Sequence, residues 1–290
     1  MESLGDSENT IKQNLSVLPV NECERESYLP CAILKWRGIE ALGLRVTDGS
    51  AARGWFAMAD ARILGVLGGM GPLASACFMQ RLTLLTSAER DQDHIPTILW
   101  SDPRVPDRTA ARVAGGEDPL PALIRGIRGL EAAGCGAIAI PCNTAHGWYE
   151  GMSAATRLPI LHIVDAAGAE LQRLGVAGGR IGVMGTAGTL AMRLYQQRLD
   201  GLGYECLMPS DAEMQSRVTP AITAVKANKL VESYEPLAEV ARSLIARGAQ
   251  AVVLGCTEIP LGIAAGPVLP FPVADTIDAL ARAAIAWAKG

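Results

Sequence analysis

Cys142 and Cys256 occupy matching places in two similar stretches of the chain. LEAAGCGAIAIPCNT (130–144) aligns with LIARGAQAVVLGCTE (244–258), so that Leu130, Ala132, Gly134, Ala137 and Cys142 fall on Leu244, Ala246, Gly248, Ala251 and Cys256. Each cysteine is read directly after a short apolar run of the kind that forms a buried strand. Each is followed by polar residues, Asn143 and Thr144 in one case, Thr257 and Glu258 in the other. A helix starting there would aim free backbone N–H groups and its positive end at the thiol. That field favours an anion and lowers a thiol pKa from about 8.5 toward neutrality. Two such thiols on opposite faces of one carbon suit a 1,1-proton transfer. One thiolate removes the α-proton and the other thiol delivers a proton from the far side. A lone cysteine after a strand is usually a small buried residue. The repetition is what singles out this pair, and Cys23, Cys31, Cys77, Cys135 and Cys206 lack the same context.

Two cations could complement the thiols. Arg108 lies in VPDRTAA and Lys226 in ITAVKAN. Most such side chains are merely solvated. In a cleft they would grip the carboxylate of an acidic substrate. The stretch GGMGP (68–72), with Met70 at its centre, can bring backbone N–H groups close to a small anion. It is neither G-x-G-x-x-G nor a phosphate-binding P-loop. Thr186 and Thr189 occupy the matching loop of the other half. Cys142 and His146 are four residues apart, with His162 nearby, yet no C-x-x-C or H-E-x-x-H accompanies them. No metal site is expected. His146 is read as supporting the helix start or the cleft wall, and His94 as a loop residue. No lysine has a setting that suggests pyridoxal phosphate, and no cofactor is expected.

These groups need a scaffold. From Arg62 onward, apolar runs at 63–67, 97–100, 137–140, 159–164, 181–184, 251–254 and 268–273 read as strands. Helical spacing covers 72–86, 120–133, 143–155, 166–174, 189–199, 221–228, 235–247 and 276–289. Such alternation implies an α/β fold with parallel sheets. A second internal match, GVLGGMGPLASACFMQRL (65–82) over GVMGTAGTLAMRLYQQRL (182–199), runs without a gap. Together the repeats predict two similar parallel-sheet α/β domains related by pseudo-two-fold symmetry. In such folds ligands sit beyond the carboxyl ends of the strands, which places the active site in the cleft between the domains. The expected boundaries are an N-terminal extension over 1–59, a first domain of 60–164 with 270–290, and a second of 165–269. The extension is polar and without period, apart from a patch over 31–44 that could form a short helix.

Composition limits the partners. The chain has 290 residues, 26 Lys and Arg against 30 Asp and Glu, and a formal net charge of −4. A phosphate-tracking surface wants a basic excess. Aromatic residues, the stacking platforms for bases, make up only 4 %. No nucleic-acid partner is expected. No stretch approaches the roughly 18 uncharged apolar residues of a membrane helix, so no membrane partner is expected either. The opening MESLGDSENT lacks the apolar core of an export signal. With seven widely spaced cysteines, the expectation is a reducing cytoplasm and free thiols.

The motifs GVLGGMGPLA (65–74), VPDRTA (105–110), IPCNTAH (140–146) and LGCTE (254–258) stand in an order that resembles the aspartate/glutamate racemase family, and within it the cofactor-independent aspartate racemases. The resemblance covers the chain from about Ile63 to the C-terminus. It implies a two-domain α/β enzyme, often dimeric, acting on a small acidic amino acid in the cytoplasm. It implies that Cys142 and Cys256 are the catalytic pair and that Arg108 and Lys226 hold the substrate's carboxylates. Asn143, Thr144 and Thr257 match residues lining the carboxylate pocket. Met70 and Thr186 complete the candidate binding set. The expected function is interconversion of L- and D-aspartate by two-cysteine proton transfer. Glutamate or a broader amino-acid range is an alternative, as are the decarboxylases and isomerases of the superfamily. A non-catalytic dicarboxylate-binding protein is a further one. Residues 1–57 have no counterpart in the family pattern.

Overall fold

The computed structural model describes residues 62–290. The short helix expected over 31–44 and the extension over 1–59 lie outside the described residues. The first sheet contains β1 (Leu64–Gly68), β2 (Thr97–Ser101), β3 (Ala137–Ala139) and β4 (Ile160–Leu161), in the order β2-β1-β3-β4. The second contains β5 (Gly179–Gly185), β6 (Tyr204–Leu207), β7 (Val252–Gly255) and β8 (Val273–Asp275), in the order β6-β5-β7-β8. All pairings in both are parallel. The strand order is thus the same in both halves, as the internal repeats require. β1 and β5 begin the halves, and β3 and β7 lead toward the two cysteines.

Parallel strands need crossovers, and the helices supply them. In the first region these are α1 (Pro72–Leu85), α2 (Arg108–Val113), α3 (Leu120–Ala132) and α4 (Tyr149–Ala154), followed by α5 (Ile163–Arg173) after β4. Pro72 opens α1 at its first position, where the missing N–H costs nothing. In the second region α6 (Ala187–Ala191) and α7 (Leu194–Leu199) precede β6. A continuous stretch of α8 (Asp211–Glu213), a π-helical segment (Met214–Val218) and α9 (Thr219–Lys226) then leads to α10 (Leu230–Ala246). The chain ends with α11 (Glu258–Ile263) after β7 and α12 (Thr276–Lys289) after β8.

One apolar core joins the two regions. Leu64, Val66 and Phe78 of the first region pack in the same cluster as Ile181, Val183 and Val253 of the second. Ile163 and Leu171 of α5, with Ile277 and Leu280 of α12, lie between them. Each such side chain stabilises the fold by about 1.5–3 kcal/mol on burial. The two regions therefore hold each other in place, and a site at their boundary inherits that rigidity. Two smaller clusters cover the outer faces, one around Leu123 and Ile138, the other around Leu237 and Val252.

The structure departs from the sequence reading at identifiable points. The helix expected over 189–199 is two short helices, because Arg193 takes a left-handed conformation (φ 53°) between them. The break presses Met192 against Gly147, where a Cβ would have no room. The helix expected over 143–155 is a 3-10 turn (Thr144–Trp148) followed by α4. The strand expected over 159–164 is only β4, since His162 caps α5 by accepting the Val164 N–H at 3.2 Å. The strand expected over 268–273 begins only at Val273, since Pro270 and Pro272 carry no N–H for a ladder. β8 pairs with β7 in the second sheet, whereas the sequence reading puts 270–290 with the first region. Only α12, lying against both α1 and α5, bridges that way. β6 has no counterpart in the sequence reading. It is a four-residue edge strand entered from Gly203, which has φ 82°.

Candidate active site

The nine residues selected from the sequence come together. Met70, Arg108, Cys142, Asn143, Thr144, Thr186, Lys226, Cys256 and Thr257 all line one cleft between the two regions, and Asp107, Thr109 and Glu258 complete its wall. The cleft is nearly closed, with about 10 Å³ of free space between these side chains.

Topology explains the convergence. The loops after β1, β2, β3, β5 and β7 all leave the carboxyl ends of their strands, where α/β ligands bind. Cys256 follows β7 at once. Cys142 does not directly follow its strand as the sequence reading has it. Ile140 and Pro141 intervene, and the Cys142 N–H donates to the Ile140 carbonyl at 2.7 Å in a tight turn. Both cysteines are buried, at 5 % and 4 % exposure.

His146 anchors the turn that carries Cys142. Its Nε2 accepts the Ile163 N–H at 3.2 Å, so Nδ1 carries the proton and donates to the Cys142 carbonyl at 2.9 Å. Burial pushes its pKa down to about 4, so the ring is neutral in ordinary buffers. With both ring nitrogens engaged by backbone, His146 is a support and has no lone pair for a metal. His94 stands in a loop, closing the turn Asp91–Asp93, away from the cleft.

Asn143 is fixed on both sides of its amide. Its Oδ1 accepts the Tyr195 hydroxyl at 2.6 Å, and its Nδ2 donates to Thr276 Oγ1 at 3.1 Å. Thr144 meets Thr186 and Thr189 hydroxyl to hydroxyl, each at 2.9 Å, and Thr186 meets Thr189 at 3.0 Å. Thr257 donates to the Pro141 carbonyl at 3.2 Å. Each of these contacts crosses between the regions or braces one that does. The cleft is thus closed by hydroxyl and amide groups rather than by apolar side chains.

Arg108 begins α2. Its Nη1 donates to the carbonyls of Val105 and Pro106 at 3.2 and 3.1 Å, while its buried Nε has no partner among the described residues. A buried donor without a partner costs about 1–3 kcal/mol, and an anion in the cleft would relieve it. Lys226 ends α9 and forms no ion pair among the described residues. The cleft wall therefore offers two cations free to take carboxylates.

Cys256 differs from the expectation of a field-lowered thiol. Burial pushes its pKa well up, and the charge and hydrogen bond of Glu258 push it further, with Lys226 opposing. Its Sγ donates to Glu258 Oε2 at 3.0 Å. The helix after it, α11, has only six residues. Glu258, named in the sequence reading only as a polar neighbour of Cys256, is the residue that meets its sulfur. Its place two residues after the repeated cysteine was the available signal.

A larger depression of about 510 Å³ is lined by Arg112, His146, His162, Gln197 and Arg198 among others, and no thiol faces it. His162 there is held neutral by burial, its pKa pushed down to about 2. Arg198 is already paired with Asp165 at 2.7 Å.

Comparison with known proteins identifies the family. Residues 67–284 match the model of the Asp/Glu/Hydantoin racemase family, and the chain belongs to that family. The family is one of racemases, hence isomerases. The chain is 29 % identical to the broad specificity amino-acid racemase RacX of Bacillus subtilis, over 68 % of this chain and 86 % of that one. Among solved structures, an aspartate racemase of Picrophilus torridus superposes with a TM-score of 0.69 at 31 % identity, covering 79 % of this chain and 94 % of its own. Glutamate racemase of Francisella tularensis, in complex with D-glutamate, shares the fold at 17 % identity and a TM-score of 0.51, over 79 % and 81 % of the two chains.

Proposed function

We propose that the protein interconverts L- and D-aspartate by two-base proton transfer between Cys142 and Cys256, without a cofactor. The observation that carries this reading is the meeting of both repeated thiols in one small cleft with Arg108 and Lys226. In this mechanism Arg108 and Lys226 hold the two carboxylates, and Asn143, Thr144, Thr186 and Thr257 orient the α-carboxylate. Met70 packs beside them. One thiolate takes the α-proton, and the other thiol returns a proton to the opposite face. The cations offset the negative charge that grows on the α-carboxylate as the carbanion forms.

A broader amino-acid range is the second reading, favoured by the similarity to RacX. A pocket discriminates one methylene by only about 1–3 kcal/mol, so the two readings separate in the assay. Purified protein is given L-aspartate in D₂O under a reducing agent. D-aspartate with deuterium at Cα is the expected product. Neither inversion nor exchange with aspartate, glutamate or a wider panel would overturn the racemase reading. Cys142→Ala and Cys256→Ala should each abolish inversion, with the circular dichroism spectrum unchanged. Full activity in either variant would remove that thiol from the mechanism.

A further inference from the structure

The two thiols of the cleft are not equivalent. Cys256 Sγ donates to Glu258 Oε2 at 3.0 Å, with both residues buried at 4 % and 5 % exposure. Among the described residues no carboxylate makes such a bond to Cys142 Sγ. Glu258 is itself held in place. Thr257 Oγ1 lies 3.5 Å from Oε2. On the other side, a Cβ added to Gly71 would stand 3.1 Å from Oε1. Gly71 is the N-cap of the fourteen-residue α1, and the first turn of a helix favours a neighbouring negative charge. The carboxylate is therefore wedged between the first region's α1 and the second region's Cys256.

We propose that Glu258 is the positioning residue of Cys256: it takes the S–H hydrogen bond and holds that sulfur as the proton donor of the resting pair, leaving Cys142 to act first as the acceptor. This rests on the racemase reading above. The step balances. The Cα–H bond breaks, its proton forms an S–H bond on the Cys142 thiolate, and the electron pair stays on Cα. The Cys256 S–H bond then breaks, its proton goes to the opposite face of Cα, and the electron pair stays on sulfur. The reverse reaction needs the proton moved from one sulfur to the other before it starts. The groups that set the Cys256 proton are few. Burial and the Glu258 carboxylate favour the thiol, and Lys226 opposes them. Arg108, Asp107 and Cys142 face the same cleft.

The test is site-resolved alkylation of the full chain with iodoacetamide across pH, without substrate, read by peptide mass spectrometry. Glu258→Gln keeps the shape and an acceptor oxygen but removes the charge. The Cys256 midpoint should fall by about one pH unit or more, which is about tenfold more thiolate at a given pH below it. The Cys142 midpoint should stay in place. Glu258→Asp, which keeps the charge but shortens the reach, should fall between. The basic limb of the kcat/KM profile should move down with the Cys256 midpoint. It should move equally for both enantiomers, which have equal free energy in solution. An unchanged Cys256 midpoint in folded Glu258→Gln, or equal shifts at both cysteines, would overturn the proposal. Because alkylation needs no turnover, a chain that racemises nothing would fail the racemase reading without deciding the place of Glu258.

Discussion

Arg108 shows how a single side chain can be prepared for a ligand. Two backbone carbonyls hold one end of its guanidinium, and the buried Nε is left without a partner. The cost of that arrangement is recovered only when an anion arrives. Arg108→Ala should therefore raise KM for aspartate at least tenfold, and far more than for a neutral amino acid. Equal changes for both would assign the side-chain carboxylate to another residue. Arg108, Lys226 and both cysteines were legible in the sequence because repetition and motif order marked them. Glu258 was visible as a residue but not as a partner. A carboxylate two positions after a cysteine reaches its sulfur only when the chain turns there, and spacing alone does not show the turn.

At the scale of elements, α12 links the second sheet to the first region, and its cap carries a strained charge. Asp275 accepts from the Ile277 and Asp278 N–H groups at 2.7 and 3.3 Å. Burial, reinforced by the charge of Asp278, pushes its pKa up to about 6. A carboxyl raised in the folded state holds its proton better there than in the unfolded chain. Its contribution is present at low pH and lost as pH rises from about 4 through 6. Asp275→Asn keeps an N-cap acceptor without the charge. It should stabilise the protein by about 1–3 kcal/mol above pH 7, with the gain vanishing near pH 4. Denaturant melts at both values check this, and an equal difference at each would refute it. The elements were largely readable, since β1, α1, β2, α3, β7 and α12 follow apolar periodicity. The break at Arg193 and the shortened β4 and β8 were not. Met192 packing against Gly147, His162 capping α5 and the prolines before Val273 decide them, and only the first of these acts across the fold.

For the whole molecule, the pH dependence of stability turns on two buried, neutral histidines. Burial pushes His146 down to about 4 and His162 to about 2. The unfolded chain takes up both protons near pH 6.5, and the folded chain cannot. That stability is present above about pH 6.5 and is lost as pH falls. Asp275 works in the opposite sense with one proton. Two against one leaves the unfolded state binding more protons between pH 6.5 and 4. Stability should therefore fall by up to about 1.4 kcal/mol per pH unit in that window. A flat melting temperature from pH 6.5 to 4.5 would show that these histidines are not buried neutral.

The alternation of strand and helix, the two-fold repeat and the positions of the thiols were determined by the sequence alone, because local periodicity and repetition are properties of a linear chain. That nine distant residues line one cleft, that Asn143 is gripped by Tyr195 and Thr276, and that one thiol of the pair has a carboxylate on it were decided only by tertiary structure. These depend on how two sheets dock through α5 and α12. Docking is a sum of long-range contacts that no local pattern encodes.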